Sequence, residues 1–385
     1  RTLFDTHFWH MRQNSGLYDP MDEAGRRGRQ DTDDEITVDG LTTRMKNVIG
    51  PAILHTNIEI KREKFDSYDA FDEAVIPASH RTTGGAGIEA EIMLAGGSLW
   101  VTPRVHATVV RDRIHNASLL MAQSVYDTVT SADRSVATYA LGLRYGAHPF
   151  LTLRANAGVF PRLPEFGELF GDTGDVVGNT RLEEERGTNI DAGAHYSSGD
   201  GVFDLDAAVF HRYARDLIQT RNYGDYLISE NIGKAAITGV ETWAAMNLLD
   251  RRLTGRVTLT YQNAKNRSDE TLFRKQRYYG KFLPYHPEWK GGVRLGAAVR
   301  KNIRATWKTD WESECFKGPS NLPDEKLDAK LIHSLGLRFG FPGRVGVTAE
   351  VENLADVHTQ DRWGYPKPGR GYYLTLSWDW ERAGD

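Results

Sequence analysis

The feature that most constrains the fold of this chain is a regular alternation of apolar and polar residues. In one stretch the apolar residues occupy every second position, and they are Leu253, Gly255, Val257, Leu259 and Tyr261. The same pattern recurs over 303–311, 327–339 and 345–351. A period of two predicts β-strands with one apolar and one polar face. Each run covers about ten residues or slightly more, which is the length that a tilted strand needs to cross a bilayer.

The connections between these runs alternate in length. Tight turns are predicted at 46–50, 95–98, 146–149, 197–201, 249–252, 300–302 and 341–344. Long polar connections are predicted around 11–33, 64–83, 112–133, 159–185, 217–233, 262–287, 313–326 and 356–369. Short turns that alternate with long loops are typical of bacterial outer-membrane barrels. The sequence therefore predicts an all-β fold, a transmembrane antiparallel up-and-down β-barrel of about sixteen strands over residues 1–380, with a C-terminal tail at 381–385.

The composition agrees with a barrel and excludes several other classes. The sequence contains no run of 18 or more apolar residues, so a transmembrane helix is excluded. The mean hydropathy of −0.50 fits strands that show an apolar side chain only at every second position. A net charge of −4 gives no reason to expect nucleic acid. Because no catalytic triad, phosphate loop or cysteine cluster is recognisable, we expect no enzymatic activity and no cofactor.

Four segments carry motifs at the predicted loops and strand entries. The motif residues are Gly178, Asn179, Leu182 and Glu185 in the first, Asn231, Gly239 and Glu241 in the second, the Leu-Pro-x-x-Pro run at 283–287 in the third, and Asn353, Leu354, Asp356, Gly369, Arg370 and Trp380 in the fourth. In this order and spacing the chain resembles the TonB-dependent outer-membrane receptor family from about 148 to 380. It also shows a faint similarity to copper-associated members. We expect most of the motif residues to be structural.

The resemblance implies a plug domain inside a barrel of about twenty-two strands. No segment before residue 34 has the pattern of a plug, and the energy-coupling motif of the family is absent from the sequence. Two explanations remain open. Either the chain is the C-terminal part of a longer receptor barrel, without the plug and the first strands, or it is a stand-alone sixteen-stranded passive porin. The motifs favour the first.

The resemblance also implies a function, a location and partners. It implies import of a scarce nutrient across the bacterial outer membrane, such as a ferric siderophore, cobalamin or a metal chelate. The expected partners are the lipid bilayer and lipopolysaccharide, the inner-membrane TonB energy-coupling protein through the missing plug, the barrel assembly machinery through the last strand, and the chelate itself. The alternatives are the passive porin and a soluble β-rich binding protein.

One group of residues is a candidate metal site. His7, His10 and Met11 are predicted to end the first strand on the long-loop side. Imidazole and thioether groups suit copper or another soft transition metal. Because His7 and His10 are three residues apart, they face opposite sides of a strand, and a girdle of aromatic and histidine side chains is the alternative interpretation.

Two loops are candidates for contact with the substrate. The first is basic and aromatic and carries Arg274, Arg277, Tyr278 and Tyr279. Such a loop would attract an anionic metal chelate, although an ordinary solvated loop has the same composition. The second carries Arg362, Trp363 and Tyr365 and is predicted to lie beside the barrel mouth. Its aromatic side chains would contact the ligand or pack the loop.

Overall fold

A computed structural model describes residues 2–21, 29–70, 78–115, 129–170, 176–179, 181–222, 227–268 and 278–378. About three-quarters of these residues are in β-strands. The strands are β1 Thr2–Asp19, β2 Gln30–Ile49, β3 Ala52–Asp69, β4 Ser79–Leu94, β5 Leu99–His115, β6 Val129–His148, β7 Leu151–Arg162, β8 Val176–Val177, β9 Glu185–Ser197, β10 Phe203–Asn222, β11 Leu227–Leu248, β12 Leu253–Asn266, β13 Trp289–Arg300, β14 Ile303–Glu312, β15 Cys315–Phe316, β16 Lys326–Leu327, β17 Lys330–Phe341, β18 Val345–Glu352, β19 Gln360–Arg362, β20 Tyr365–Pro366 and β21 Gly371–Trp378. A 3-10 turn covers Ala95–Gly97, and a short helix, α1, covers Phe166–Phe170.

The long strands follow one another as antiparallel neighbours. The chain divides into two compact units, unit 1 (1–144, 156–189 and 213–234) and unit 2 (145–155, 190–212 and 235–385). In unit 1, β1 to β5 pair in sequence order. In unit 2, the order is β11, β12, β13, β14, β17, β18 and β21. Sixteen of the described strands have eight or more residues, so the prediction of an all-β, antiparallel up-and-down fold is confirmed.

The strands are longer than the alternation predicted. β2, β6, β10 and β11 have 20 to 22 residues, and they continue into the segments predicted as loops. At about 3.3 Å per residue, twenty residues span roughly 65 Å, which exceeds a hydrocarbon core of about 30 Å. The outer parts are polar on both faces, as at 31–35, so the sequence pattern there does not separate strand from loop. The run at 327–339 was also wrong as one strand, because it is divided between β16 and β17.

The tight turns overlap their predicted positions. The chain reverses at 50–51, 95–98, 149–150, 198–202, 249–252, 301–302 and 342–344. Left-handed backbone makes one of these turns possible without glycine, since Leu249, Asp250 and Arg251 have φ angles of 51°, 52° and 64°. The predicted alternation of short and long connections is therefore present in the described residues.

The apolar face of the sheet is exposed in each unit. In unit 2, Trp307 pairs with Leu295 on one side and with Leu335 on the other, and all three side chains are exposed. On β21, Leu374 and Leu376 are 78% and 73% exposed. A soluble sandwich would bury this face, whereas a transmembrane sheet turns it to lipid. Within the described ranges, no helix combines the length and the hydropathy that a transmembrane helix requires.

Candidate substrate-contact surfaces

A buried ion cluster lies on the polar face of unit 1. The side chain of Asp112 on β5 is fully buried, and it pairs directly across the ladder with Arg81 on β4. Arg81 Nε donates to Asp112 Oδ1 at 2.7 Å, and Arg134 Nη1 on β6 donates to Oδ2 at 2.5 Å. A carboxylate removed from water is stabilised by charge-assisted hydrogen bonds of this kind. The cluster therefore joins three neighbouring strands through one buried charge.

The same two arginines hold the segment 163–184, here called the anchored loop. Arg81 Nη1 donates to the carbonyl oxygen of Pro164 at 2.8 Å, and Arg134 Nη2 donates to that of Leu182 at 3.1 Å. Pro164, Leu169 and Leu182 are almost completely buried. The anchored loop is thus packed against the strands of unit 1 and carries a small apolar core of its own.

A second set of charges closes the base of the anchored loop. Arg162 Nη1 donates to Glu168 Oε2 at 3.0 Å, and its Nη2 donates to Glu185 Oε1 at 2.6 Å. Glu185 Oε1 also accepts the backbone N–H of Ile218 at 2.8 Å. The hydrogen bonds with Glu185 and Glu168 raise the pKa of the Arg162 guanidinium above its ordinary value, although burial acts in the opposite direction. Glu185 therefore ties β9 to β7 and to the backbone of β10 at one point.

The motif asparagines bind backbone groups at the same end of unit 1. Asn179 donates through Nδ2 to the carbonyl oxygen of Ser229 at 2.7 Å. Asn231 accepts the N–H of Glu183 at 2.8 Å and donates to the carbonyl oxygen of Asp216, also at 2.8 Å. Gly178 lies beside Asn179 in the same short described stretch. Amide side chains can satisfy a donor and an acceptor together, which suits backbone that has left the ladder.

The remaining motif residues lie in unit 2. Asn353 has a φ of 52° and exchanges two hydrogen bonds of 2.9 Å with Val357. Asp356 Oδ1 accepts the N–H of Arg370 at 2.7 Å beside Gly369, and Leu354 donates to the carbonyl oxygen of His333.

Gly239 lies against the Phe210 ring and the backbone of Tyr261, so a side chain there would collide. Glu241 is exposed on β11, and Trp380 lies outside the described residues.

An exposed ion cluster, here called the loop clamp, holds the hairpin β19–β20 in unit 2. Lys330 Nζ lies 2.5 Å from Asp361 Oδ1 and 3.3 Å from Glu312 Oε2. Lys367 Nζ lies 2.6 Å from the other oxygen of Asp361. Hydrogen bonds from Lys330 and then Lys367 hold the pKa of the Asp361 carboxyl below its usual value. The clamp therefore fastens the hairpin to the beginning of β17.

Two further loops meet this hairpin. Asn321 accepts the N–H of Phe282 at 2.6 Å and donates to the Phe282 carbonyl oxygen at 3.0 Å. The rings of Phe282 and Phe316 stack at 6.0 Å, and Lys317 Nζ lies 3.9 Å from the centroid of the Trp363 ring. Contacts of this kind fix aromatic side chains at a surface without burying them. The loops 278–288, 313–329 and 356–370 thus form one connected surface in unit 2.

Most of the predicted substrate residues lie on this surface, and the others lie outside the described residues. Arg362, Trp363 and Tyr365 lie on the hairpin, where Trp363 and Tyr365 are 64% and 74% exposed. Tyr279 lies in the neighbouring loop beside Tyr278, with the Arg267 guanidinium 5.6 Å from the Tyr279 ring. The structure therefore brings the two predicted loops into one surface. Arg274 and Arg277 lie outside the described residues.

The predicted metal ligands are not brought together. His7, His10 and Met11 lie in the middle of β1, so their expected position at a strand end is wrong. His7 Nε2 is 2.8 Å from Asp5, whereas His10 Nδ1 is 2.8 Å from Asp39 on the opposite face. Among the described residues, no group of three or more histidine, cysteine, aspartate or glutamate side chains is arranged to hold a metal ion.

The ion clusters were not found from the sequence. Arg81 and Asp112 are 31 residues apart, and both fall in segments that were predicted as loops. Charged residues near the strand ends do not specify the register in which two strands pair. The contact between Lys330 and Asp361 is also not predictable from the sequence, because the two residues meet only after the hairpin has folded.

Solved structures of transporters share this fold. The copper transporter OprC matches with a TM-score of 0.78 at 15% identity, over 97% of this chain and 62% of that one. The FrpB iron transporter from Neisseria meningitidis matches with a TM-score of 0.75 at 14% identity, over 97% and 61%. The ferric citrate transporter FecA matches with a TM-score of 0.72 at 15% identity, over 98% and 59%. The chain spans about three-fifths of the length of these proteins.

A family model gives the same result from the sequence. The model described as "TonB dependent receptor-like, beta-barrel" matches residues 17–354, which is most of the chain. This range contains the anchored loop, the loop clamp residue Lys330 and the first three groups of motif residues. The family consists of outer-membrane receptors, and the three solved structures named above are of transporters. The chain therefore belongs to the TonB-dependent receptor-like β-barrel family.

Proposed function

We propose that this chain forms the membrane wall of an outer-membrane receptor that imports a metal chelate, such as a ferric siderophore, or cobalamin. The observation that supports this most is the connected loop surface in unit 2, which presents Trp363, Tyr365 and Arg362 outward. Aromatic rings and guanidinium groups bind flat, anionic ligands through stacking and charge. Because the loop clamp holds these side chains in place, binding costs less conformational entropy than it would on a free loop.

The proposal includes a longer barrel. β1 pairs with β2 along one edge, and its described side chains from Thr2 to Gly16 are exposed on both faces. We propose that residues 1–380 are the C-terminal portion of a larger receptor barrel, in which further strands pair with β1 and a plug fills the interior. The plug would bind the TonB protein, and the barrel assembly machinery would recognise β21. The short length relative to OprC, FrpB and FecA supports this proposal.

Ligand binding tests the proposal. We expect the full-length protein, purified in detergent, to bind one member of a panel of ferric siderophores, cobalamin and copper complexes with a dissociation constant of about 1 μM or tighter. Trp363→Ala should weaken that binding about tenfold or more, by a loss of about 1.4 kcal/mol. The matched control is Trp100→Ala, which removes the same side chain beside the turn at 95–98 and should leave binding unchanged.

Conductance separates import from passive diffusion. A receptor with a plug should give little steady current in planar bilayers, even at high protein density. A stable, large conductance together with no binding to any member of the panel would contradict the proposal. That result would favour the stand-alone porin.

A further inference from the structure

The exposed apolar face of unit 2 contains a groove. Its floor is formed by small residues on two adjacent strands, Ala297 and Ala305, which are direct cross-strand partners. Larger apolar side chains surround it, and they are Met246, Leu248, Leu253, Leu295, Trp307 and Leu335. The volume is about 350 Å³. A depression of this size on a face turned to lipid must be filled, because an empty one loses dispersion contacts.

The groove lies at the short-turn end of its strands, beside two basic turns. Arg251 and Arg252 belong to the turn before β12, whereas Arg300 is the last residue of β13 and Lys301 follows it in the next turn. The carbonyl oxygen of Arg252 accepts the N–H of Ala298 at 2.7 Å, so the first turn touches a strand that lines the groove. All four side chains are exposed, and within the described part of the chain none forms an ion pair.

These two turns carry an excess of positive charge. Asp250 is the single carboxylate beside the four cations, which leaves a net charge of +3. In unit 1, the turns at 50–51 and 95–98 contain no charged residue. An excess of cations next to an apolar groove suits a partner that has an anionic group and an apolar chain.

We propose that the groove binds an acyl chain of an anionic glycerophospholipid, whose phosphate group contacts the cations of the two basic turns. The acyl chain fills the floor at Ala297 and Ala305, where the lining is almost wholly apolar. Lysine and arginine near a membrane surface attract anionic headgroups, and each is worth about fivefold in affinity. A zwitterionic lipid would fill the groove equally well but would lack the attraction of the net charge. The site depends on the sheet crossing the membrane, and not on which nutrient the receptor imports.

Fluorescence quenching of Trp307 tests the site directly. The full-length protein is placed in vesicles that contain brominated phosphatidylglycerol or brominated phosphatidylcholine, and the Trp307→Phe variant supplies the background from the other tryptophans. We expect phosphatidylglycerol to quench Trp307 at a mole fraction at least about fivefold lower than phosphatidylcholine. Equal quenching by the two lipids would overturn the proposal.

Two sets of variants test the basic turns and the apolar groove separately. Arg251→Gln with Arg252→Gln should reduce the preference for phosphatidylglycerol about fivefold or more, and Arg300→Gln with Lys301→Gln repeats the test on the other turn. Ala305→Leu fills the groove and should reduce quenching by both lipids. Heat-modifiable migration on a gel confirms that each variant is folded. A preference that survives both charge variants would contradict the assignment.

Discussion

The anchored loop of unit 1 and the hairpin of unit 2 are held by the same device in different surroundings. In each, one carboxylate bridges two cations and ties a loop to a strand. Asp112 is completely buried between two arginines, whereas Asp361 is 53% exposed between two lysines. Arginine can bind a carboxylate through two parallel hydrogen bonds, but lysine acts as a point charge. The buried cluster therefore fixes a unique geometry, while the exposed clamp leaves the hairpin easier to release.

The largest expected effect follows from removing the buried charge. Asp112→Ala removes the buried carboxylate that both Arg81 and Arg134 contact, which costs about 3–5 kcal/mol. We expect the free energy of unfolding in urea, measured in lipid vesicles, to fall by this amount, and the amides of Leu169 and Leu182 to exchange faster. The matched control is Asp133→Ala, because Asp133 pairs with Arg111 on the exposed face of the neighbouring strand. An equal effect of the two substitutions would contradict the importance of burial.

A smaller effect is expected at the base of the anchored loop. Glu185→Gln keeps one oxygen for the Ile218 N–H but weakens the charge-assisted contact with Arg162, so we expect a loss of about 1–2 kcal/mol. Hydrogen exchange should increase at the beginning of β9. Glu165→Gln is the control, since Glu165 is exposed and lies 3.9 Å from the same guanidinium. If both variants were as stable as the parent, Glu185 would not contribute to the loop's attachment.

The exposed clamp should contribute less still. Asp361→Asn removes two half-exposed ion pairs, each worth about 0.2–1 kcal/mol, so we expect about 1 kcal/mol or less. Exchange should rise in the hairpin at 360–366 and remain unchanged in the anchored loop. Asp324→Asn, at an exposed position in the neighbouring loop, provides the control. Faster exchange of the anchored loop in Asp361→Asn would show that the two regions are not independent.

The smallest effect is the pH dependence of the clamp. Because the pKa of Asp361 is lowered in the folded protein, its contribution is complete above the ordinary value of 3.8 and is lost as the pH falls through the lowered value. Trp363 fluorescence should therefore be constant from pH 7 to about 5 and change only below about pH 4. Asp361→Asn should lack this transition. A transition near neutral pH would implicate another group.

The sequence was sufficient for the tight turns and for the presence of the long strands, because short polar reversals and period-two alternation are local properties. It was not sufficient for the ends of the strands, which extend into the predicted loops. It was not sufficient for the ion clusters. Arg81 and Asp112 meet only in one register of β4 and β5, and a shift by a single residue would place them on opposite faces. His7 and His10 were assigned to a strand end because the outer part of β1 lacks alternation, although backbone pairing with β2 continues to Asp19. Both the contact between Arg81 and Asp112 and the end of β1 depend on pairing between strands, which a local sequence pattern does not encode.

A membrane-spanning sheet must turn its apolar face to lipid. Spin-label accessibility measures the exposure of each residue to lipid and to water. Single nitroxide labels would be placed in turn at 331–339 on β17, in the protein reconstituted into vesicles. We predict that collision with oxygen is high at Leu331, Leu335 and Leu337, and that collision with a water-soluble nickel complex is high at the exposed polar position Arg338 and low at those three leucines. High accessibility to the nickel complex at every position would contradict a membrane-spanning sheet.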